Sequence, residues 1–280
     1  MLQDIGQGRF DNQFHLYTVQ DPDMVFLYSE RGVLGKEDEG LLQLPSCAQL
    51  GDALGGITLR YAFSLDQTRY FYGFSNEENL FPAPDGFEWI ASRHYREMVP
   101  QDLAYACCVG ESLQRWRRSR RFCGRCGTSV ADSTTERAVV CPTCGLVEYP
   151  KICPAVIAAV TDGDRLVLTK YRGRAFRKYA LVAGFNEIGE SIEYTVRREV
   201  LEETGLRVKD ITFYKSQPWV VTDTLLMGFF CKLDGPDTIH MQEDELSVAQ
   251  WFHRSQIPDD YSAISLTGEM IEVFRRGAVF

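Results

Sequence analysis

The chain has 280 residues, of which 45% are hydrophobic, and its net charge is −9. This length is enough for two domains and a small module, and the negative charge argues against generic affinity for nucleic acid. Because the sequence has no apolar run of about 18 residues and no signal-peptide pattern near Met1, we expect a cytoplasmic protein that does not enter membranes.

Residues 1–118 predict a β-rich N-terminal domain with one or two helices. Short apolar runs at residues 24–28, 59–63 and 70–74 are separated by turn residues, which is typical of strands. Residues 104–118 predict a helix that leads into the next segment.

Residues 119–150 predict a small metal-binding module. Two C-x-x-C pairs contain four of the nine cysteines: Cys123, Cys126, Cys141 and Cys144. Gly127 and Gly145 follow the pairs and let the chain turn so that backbone N–H groups face the thiolates. This spacing is typical of a zinc ribbon, in which one Zn²⁺ takes all four thiolates and folds the module. A pair of disulfides is the alternative, but the sequence has no signal-peptide pattern and carries other unpaired cysteines, which suits a reducing compartment.

Residues 151–280 predict a third domain with a mixed sheet. Residues 155–160 and 165–170 form a predicted hairpin, because the turn sequence Asp162-Gly-Asp separates two apolar runs. Further strands are predicted around Phe213, residues 225–230 and Trp251, and a closing helix at residues 266–275. With helices on both faces of the sheet, this domain is an α/β/α sandwich, and the whole chain is an α+β or α/β protein.

One segment rich in glycine and glutamate carries the strongest functional signal. Ser191 as N-cap and Gly205 as C-cap predict a helix of about four turns between them. Gly184 and Gly189 flank a short turn that brings Glu190 towards the start of the helix, and glycine permits unusual backbone angles there.

Three glutamates on this helix predict a site for divalent cations. Glu199, Glu202 and Glu203 stand at i, i+3 and i+4 and therefore share one face. Clustered carboxylates repel one another unless a cation lies among them, and oxygen ligands suit Mg²⁺ or Mn²⁺, which also bind phosphates. Arg198 can hold Glu202 in place. The alternative is a solvated acidic helix face, which the flanking glycines argue against.

Residues 184–206 resemble the Nudix box, the signature of hydrolases that cut a diphosphate linked to a nucleoside. The order of N-terminal domain, four-cysteine ribbon and Nudix domain, followed by Ser216-Gln-Pro-Trp219, is similar to the bacterial NADH pyrophosphatases. The resemblance implies hydrolysis of NAD(H) to nicotinamide mononucleotide and AMP, removal of NAD caps from RNA, and a homodimer. It also implies more than one catalytic Mg²⁺ or Mn²⁺ ion.

The resemblance also implies roles for single residues. The implied catalytic set is Glu190, Arg198, Glu199, Glu202 and Glu203, of which the last three are metal ligands. Glu245 is implied as a further ligand, with a solvated loop acid as the alternative. Phe185 is implied to stack on a base across the dimer interface, with Tyr149 close to the same pocket; core packing is the alternative for both. The other implied substrate contacts are Gln217 and Trp219, from the NADH specificity motif, and Thr267.

The chain departs from the family after Trp219. Residues 220–224 replace the usual Pro-Phe-Pro and serine, which removes two rigid residues and an aromatic surface. The change supports an alternative substrate for the same reaction, either ADP-ribose or another dinucleotide diphosphate. A further alternative is a non-catalytic nucleotide-sensing regulator, but such a protein would have little reason to carry every glutamate of the box.

Two arginine-rich stretches, residues 115–121 and 172–178, could bind the phosphates of an RNA 5′ end. The alternative is a solvated helix face and a solvated loop, and the acidic character of the whole chain favours it.

Overall fold

The structure is a computed structural model that describes residues 1–6, 9–76, 80–173, 178–242, 244, 246–261 and 264–278. The chain divides into two compact units. The N-terminal unit comprises Leu2–Lys151 and Val220–Thr222, and the C-terminal unit comprises Met1, Ile152–Trp219 and Asp223–Phe280. The three domains predicted at residues 1–118, 119–150 and 151–280 stay a prediction.

The described part of the N-terminal unit contains a sheet of seven strands, as its alternating apolar runs predict. The strands are β1 (Phe10–Asp11), β2 (Met24–Ser29), β3 (Gly32–Asp38), β4 (Leu41–Gln43), β5 (Arg60–Leu65), β6 (Thr68–Phe74) and β7 (Glu88–Ile90). They lie in the order β1-β5-β6-β2-β3-β4, and β7 pairs with β3. Aromatic side chains fill the core beside this sheet, with the Phe26 and Tyr70 rings stacked at 5.1 Å.

Among the described residues of this unit, three α-helices accompany the sheet: α1 (Cys47–Leu50), α2 (Ser92–Tyr95) and α3 (Gln101–Ser119). The helix predicted from residue 104 is confirmed, but it begins at Gln101, because Pro100 supplies the extended N-cap backbone. At Gly110 the helix lies so close to β2 that an added Cβ would be 2.6 Å from the Tyr28 hydroxyl oxygen. None of the described helices has the length and apolar character to cross a membrane.

The cysteine-rich module contains three short antiparallel strands: β8 (Ala131–Asp132), β9 (Val139–Val140) and β10 (Val147–Glu148). Gly127 and Gly145 have positive φ angles of +74° and +71°, so each glycine makes the turn that the sequence predicts after a cysteine pair.

The C-terminal unit is an α/β/α sandwich with a mixed sheet, which confirms the predicted fold class. Its elements are β11 (Cys153–Asp162), β12 (Arg165–Tyr171), β13 (Val182–Phe185), α4 (Ile192–Thr204), β14 (Val208–Trp219), β15 (Thr224–Leu233), β16 (Leu246–His253) and α5 (Leu266–Arg275). The order is β14-β15-β11-β12-β16, with β13 beside β11. Strand β11 is parallel to β15 and antiparallel to β12 and β13.

Strand β11 divides the core of this unit into two layers. Val156 and its alternate neighbours pack with Val196 of α4, whereas Ile157 on the opposite face packs with Met270 of α5. Successive side chains of a strand point to opposite faces of the sheet. The single apolar run of β11 therefore packs against α4 on one face and against α5 on the other. This packing holds α4 against the sheet and places its polar edge beside β13.

Candidate active site

The glutamate-bearing helix α4 has the predicted caps. The Ser191 hydroxyl accepts a hydrogen bond from the Tyr194 N–H at 3.3 Å, and Gly205 ends the helix with a left-handed φ of +71°. Val196 and Val200 are fully buried against the sheet. The apolar stripe therefore fixes the rotation of the helix and leaves the glutamate face beside it.

The three glutamates differ in exposure along this face. Glu203 is 2% exposed, Glu199 has 13% of its side chain exposed, and Glu202 has 54% exposed. A cavity of about 600 Å³ is lined by Arg198, Glu199, Glu202 and Gln242. Glu203 is buried and does not belong to this lining; its Oε1 atom accepts from the Tyr171 hydroxyl at 3.4 Å.

Arg198 joins the loop before α4 to the glutamate face. Its Nε and Nη2 atoms bind the two carboxylate oxygens of Glu190 at 2.6 and 2.9 Å. Its Nη1 atom lies 2.8 Å from Glu199 and 3.0 Å from Glu202, so the predicted contact with Glu202 is present. Its Nη2 atom also donates to the Phe185 carbonyl at 2.9 Å. One guanidinium thus orients three carboxylates.

Glu190 is held as an anion at the centre of the loop. The Arg198 guanidinium lowers the pKa of Glu190 to about 2, and the hydrogen bond from the Thr195 hydroxyl at 2.8 Å acts in the same direction. Asn186 in turn donates to the Thr195 hydroxyl at 2.7 Å. Sequence reasoning missed Thr195 and Asn186, because neutral polar side chains have no recognisable pattern of their own. The sequence signal that could have identified Thr195 is its position one helical turn after the N-cap Ser191.

Glycines 184 and 189 serve different purposes. Gly189 has a φ of +91°, which confirms the predicted need for an unusual backbone angle. Gly184 has no such φ; instead, an added Cβ would lie 1.9 Å from the carboxylate carbon of Glu199. The backbone-angle explanation is therefore wrong for Gly184, where the missing side chain makes room for Glu199.

We expect Gly184→Ala to lower kcat/KM about 100-fold, because Glu199 must move by about an ångström or more to admit the methyl group. Gly189→Ala is the matched control, since its added Cβ would meet no described atom within 4 Å. The control should lose about 1 kcal/mol of stability through its positive φ and keep most of its turnover. Equal losses of turnover in the two variants would contradict this explanation.

The low pKa of Glu190 predicts that its contribution to the stability of the fold is lost at acidic pH. Its pKa is about 2 in the folded chain against an ordinary value of 4.5, so its interactions stabilise the fold fully above the ordinary value and are lost as the pH falls towards 2. The Tm difference between the wild type and Glu190→Gln should be constant above about pH 5 and shrink below it. Thermal melts across this range measure it, with Glu193→Gln, in the exposed first turn of α4, as the control. A difference that does not change with pH would contradict the prediction.

Phe185, the predicted stacking residue, and Tyr149, predicted to lie close to the same pocket, each lie on the surface of their own unit. Phe185 ends β13 with 56% of its surface exposed, and Tyr149 is 58% exposed, with its hydroxyl donating to Glu136 at 3.1 Å. Core packing, the alternative for both residues, does not fit these exposures. Their contact with a base stays a prediction.

Gln217 is fully buried and contacts backbone. Its Oε1 accepts from the Leu266 N–H at 2.7 Å, and its Nε2 donates to the Ile264 carbonyl at 2.9 Å. Gln217 therefore positions the start of α5, where Thr267 is the second residue of the helix. Trp219 is half-buried at the end of β14. The predicted substrate contacts of these three residues stay predictions.

Of residues 220–224, where the chain departs from the family, residues 220–223 form the turn from β14 to β15 and Thr224 begins β15; Asp223 has a positive φ of +57°. Residues 220–222 belong to the N-terminal unit, in which Val220 packs on the aromatic core. The Val220 carbonyl accepts from Arg115 Nη2 at 2.9 Å. The altered segment therefore has a packing role of its own. Glu245 and residues 174–177 of the second arginine-rich stretch lie outside the described residues.

The four cysteines of the ribbon converge on one point. Their Sγ atoms all lie within 4.8 Å of one another, and the Cys123–Cys144 and Cys126–Cys141 pairs are 3.5 and 3.4 Å apart. A disulfide requires about 2.05 Å, whereas four thiolates around one Zn²⁺ have separations of this order. The hydrogen bond with the Thr128 hydroxyl lowers the pKa of Cys126, whereas burial and hydrogen bonds with the other ribbon thiols raise the pKa of Cys144, so the convergence of the four Sγ atoms carries the assignment. The site therefore fits structural zinc.

The first arginine-rich stretch is bound mainly to its own unit. Arg117 contacts Asp132 at 2.5 Å, Arg118 contacts Glu30 at 2.6 Å and Arg120 contacts Glu148 at 2.9 Å. These ion pairs join α3 to the sheet and to the ribbon, which agrees with a structural role for the stretch.

Carboxylates on a capped helix beside a polar cavity form a donor set suited to hydrolysis of phosphate anhydrides with divalent cations. Comparison with protein families gives two matches. The NUDIX domain matches residues 151–273, and the NADH pyrophosphatase zinc ribbon domain matches residues 118–149. A relative from Actinobacillus succinogenes named NAD-capped RNA hydrolase NudC is 37% identical over 201 residues, which cover 68% of this chain and 75% of that protein.

A protein of the same name from Chromobacterium violaceum is 34% identical over 237 residues, which cover 82% of this chain and 84% of that protein. The chain belongs to the Nudix hydrolase family, with the zinc ribbon of the NADH pyrophosphatases. A crystal structure of a NUDIX hydrolase from Nitrosomonas europaea is also similar, with a TM-score of 0.48, 24% identity and coverage of 56% of this chain and 92% of that chain.

Proposed function

We propose that this enzyme hydrolyses the diphosphate of NAD(H) to nicotinamide mononucleotide and AMP, and that it removes NAD caps from RNA 5′ ends. The main support is the face of α4, where Arg198 orients Glu199 and Glu202 at the edge of the cavity. The relatives named NAD-capped RNA hydrolase and the type of zinc ribbon support the choice of substrate.

We propose that Glu199, Glu202 and Glu203 hold more than one Mg²⁺ or Mn²⁺ ion, with Glu245 as a further ligand. The donor set fits such ions, because these are hard oxygen ligands on one helix face, and Glu199 and Glu202 line the cavity. When bound, the ions would neutralise the diphosphate and make a coordinated water more acidic.

The solvent exposure of the three glutamates indicates which of them accepts a proton. Glu202 is the most exposed of the three glutamates, so its carboxylate can accept a proton from a water in the cavity. That water attacks a phosphorus atom, the P–O bond of the anhydride breaks, and the bridging oxygen leaves with one nucleotide. Arg198 keeps the carboxylate in place through its 3.0 Å contact.

We propose that Phe185 stacks on the base or the nicotinamide, since it is an exposed aromatic side chain whose own carbonyl contacts Arg198. Tyr149, Gln217, Trp219 and Thr267 are proposed as further contacts, and the enzyme is proposed to act as a homodimer in the cytoplasm. Stacking on an exposed ring contributes about 1–3 kcal/mol per base.

Chromatographic analysis of the products tests the proposal. The wild type is incubated with NADH, with ADP-ribose and with NAD-capped RNA, each in Mg²⁺ or Mn²⁺. We expect reduced nicotinamide mononucleotide with AMP from NADH, and 5′-monophosphorylated RNA from the capped RNA. A clear preference for ADP-ribose would overturn the substrate but keep the reaction, and no turnover of any substrate with either ion would overturn both.

A further inference from the structure

A second cavity, of about 320 Å³, lies within the N-terminal unit. It is formed by the turn from β2 to β3, by the residues that open α2, and by one face of α3 that includes Glu111, Gln114 and Arg118. None of its lining residues belongs to the glutamate site, and none is one of the four ribbon cysteines. Its volume is close to the lower end of small-ligand pockets, which begin at about 300 Å³.

The lining of this cavity is electropositive in an acidic protein. It contains four arginines from three separate segments: Arg31, Arg93, Arg115 and Arg118. With its two glutamates, Glu30 and Glu111, the lining has a net charge of +2, whereas the whole chain has −9. Arg118 binds Glu30 at 2.6 Å, and the Tyr95 hydroxyl donates to Glu111 at 2.5 Å. Guanidinium groups from separate segments around one cavity favour an anion.

Gln114 supplies an independent indication of a ligand. It lines the cavity and is only 6% exposed, and its Nε2 atom is buried without an acceptor among the residues that the structure describes. Buried amide donors in proteins are nearly always paired. An oxygen atom of a bound ligand would provide the acceptor that this donor lacks.

We propose that this cavity binds a small phosphorylated sugar of the class of ribose 5-phosphate or a mononucleotide. The phosphate contacts the guanidinium groups of Arg31 and Arg93 near the entrance, where both side chains are exposed. A ligand oxygen accepts from Gln114 Nε2, and the Glu111 carboxylate accepts from a sugar hydroxyl. An anion without hydroxyl groups would leave the Glu111 carboxylate facing negative charge, so a phosphorylated sugar fits this mixed lining better.

Calorimetric titration of the full-length zinc-containing protein tests the proposal, in buffer without added Mg²⁺ or Mn²⁺. The probes are ribose 5-phosphate and AMP, with unphosphorylated ribose as the control ligand. We expect one site per chain for the phosphorylated probes and at least tenfold weaker binding of ribose. Binding of ribose 5-phosphate, which has no base to stack on Phe185, should be unchanged in the Glu202→Gln variant, which separates this cavity from the glutamate site.

Two variants of the lining locate the binding. Gln114→Leu and Arg93→Gln should each weaken the binding of ribose 5-phosphate about tenfold or more, whereas Arg121→Gln, outside the lining, should not. Gln114→Leu removes the buried unpaired donor, so the Tm of the ligand-free protein should not fall. Arg93 is exposed, so its variant tests the site without disturbing the core.

Absence of binding by both phosphorylated probes would overturn the proposal. Binding that survives both lining variants would overturn it as well. A 5′-monophosphorylated RNA is titrated in the same way. If only this RNA binds, and the two variants weaken its binding, the cavity is part of an RNA surface and the proposed ligand class is wrong.

Discussion

Glu202→Gln is expected to lower kcat for NADH hydrolysis by about 10²- to 10³-fold and to leave the fold intact. Glutamine keeps the shape of the side chain but removes the negative charge that a cation or a proton would take. Because 54% of the side chain is exposed and its contact is with Arg198 at 3.0 Å, its loss leaves no buried group unpaired. Steady-state kinetics with saturating Mg²⁺ or Mn²⁺, beside thermal melts, measure both effects.

Glu193→Gln is the matched control for this prediction, because Glu193 is exposed in the first turn of the same helix and does not line the cavity. It removes the same charge from α4 and should keep wild-type kcat. If Glu202→Gln retained more than about a tenth of the wild-type kcat, Glu202 would not contribute at the level expected of a charged catalytic group. Equal losses in both variants would instead indicate a general effect of helix charge.

The helices could be predicted from the sequence because their ends are local. Ser191 and Gly205 bound α4 with the expected cap geometry, and α5 runs over Leu266–Arg275 as its apolar spacing indicates. The pairing of the sheet could not be predicted in the same way. The parallel register of β11 with β15 joins Cys153 to Thr224, which are far apart in sequence, and no local pattern encodes such a partner.

The part of the candidate site that lies on the single helix α4 could be predicted from the sequence. The positions of Glu199, Glu202 and Glu203 place them on one face in any α-helix. The order of their exposure could not be predicted, because it depends on how β13 and Tyr171 pack against α4. Gly184 illustrates the same limit, since only the folded structure brings the Glu199 carboxylate against its backbone.

Membership of a sequence motif does not show which hydrogen bonds a side chain makes in the folded chain. Gln217 belongs to the segment that resembles a specificity motif, and its side-chain amide hydrogen-bonds to the backbone at residues 264 and 266, where α5 begins. Thr195 belongs to no recognised position and still binds the carboxylate of Glu190. A sequence pattern records which residue type is needed, whereas the reason for the need depends on tertiary contacts.

The zinc ribbon provides the largest expected effect on stability. Its three strands each contain two residues, and Cys126 is exposed, so the module has little apolar core of its own. Zinc binding to such modules contributes about 10–16 kcal/mol, which is comparable to the whole stability of a typical domain. The metal must therefore provide most of the free energy that folds residues 123–144.

We expect Cys141→Ser to lower the zinc content below one ion per chain and to unfold the ribbon, because three thiolates hold the ion more weakly than four. Trypsin should then cleave after Arg125 and Arg137, which lie inside the module, at concentrations that leave the wild type intact. Cys47→Ser, outside the ribbon, is the control and should retain both zinc and resistance. Full zinc content in Cys141→Ser would show that Cys141 is not a required ligand, and loss of zinc with unchanged proteolysis would show that the metal does not hold this fold together.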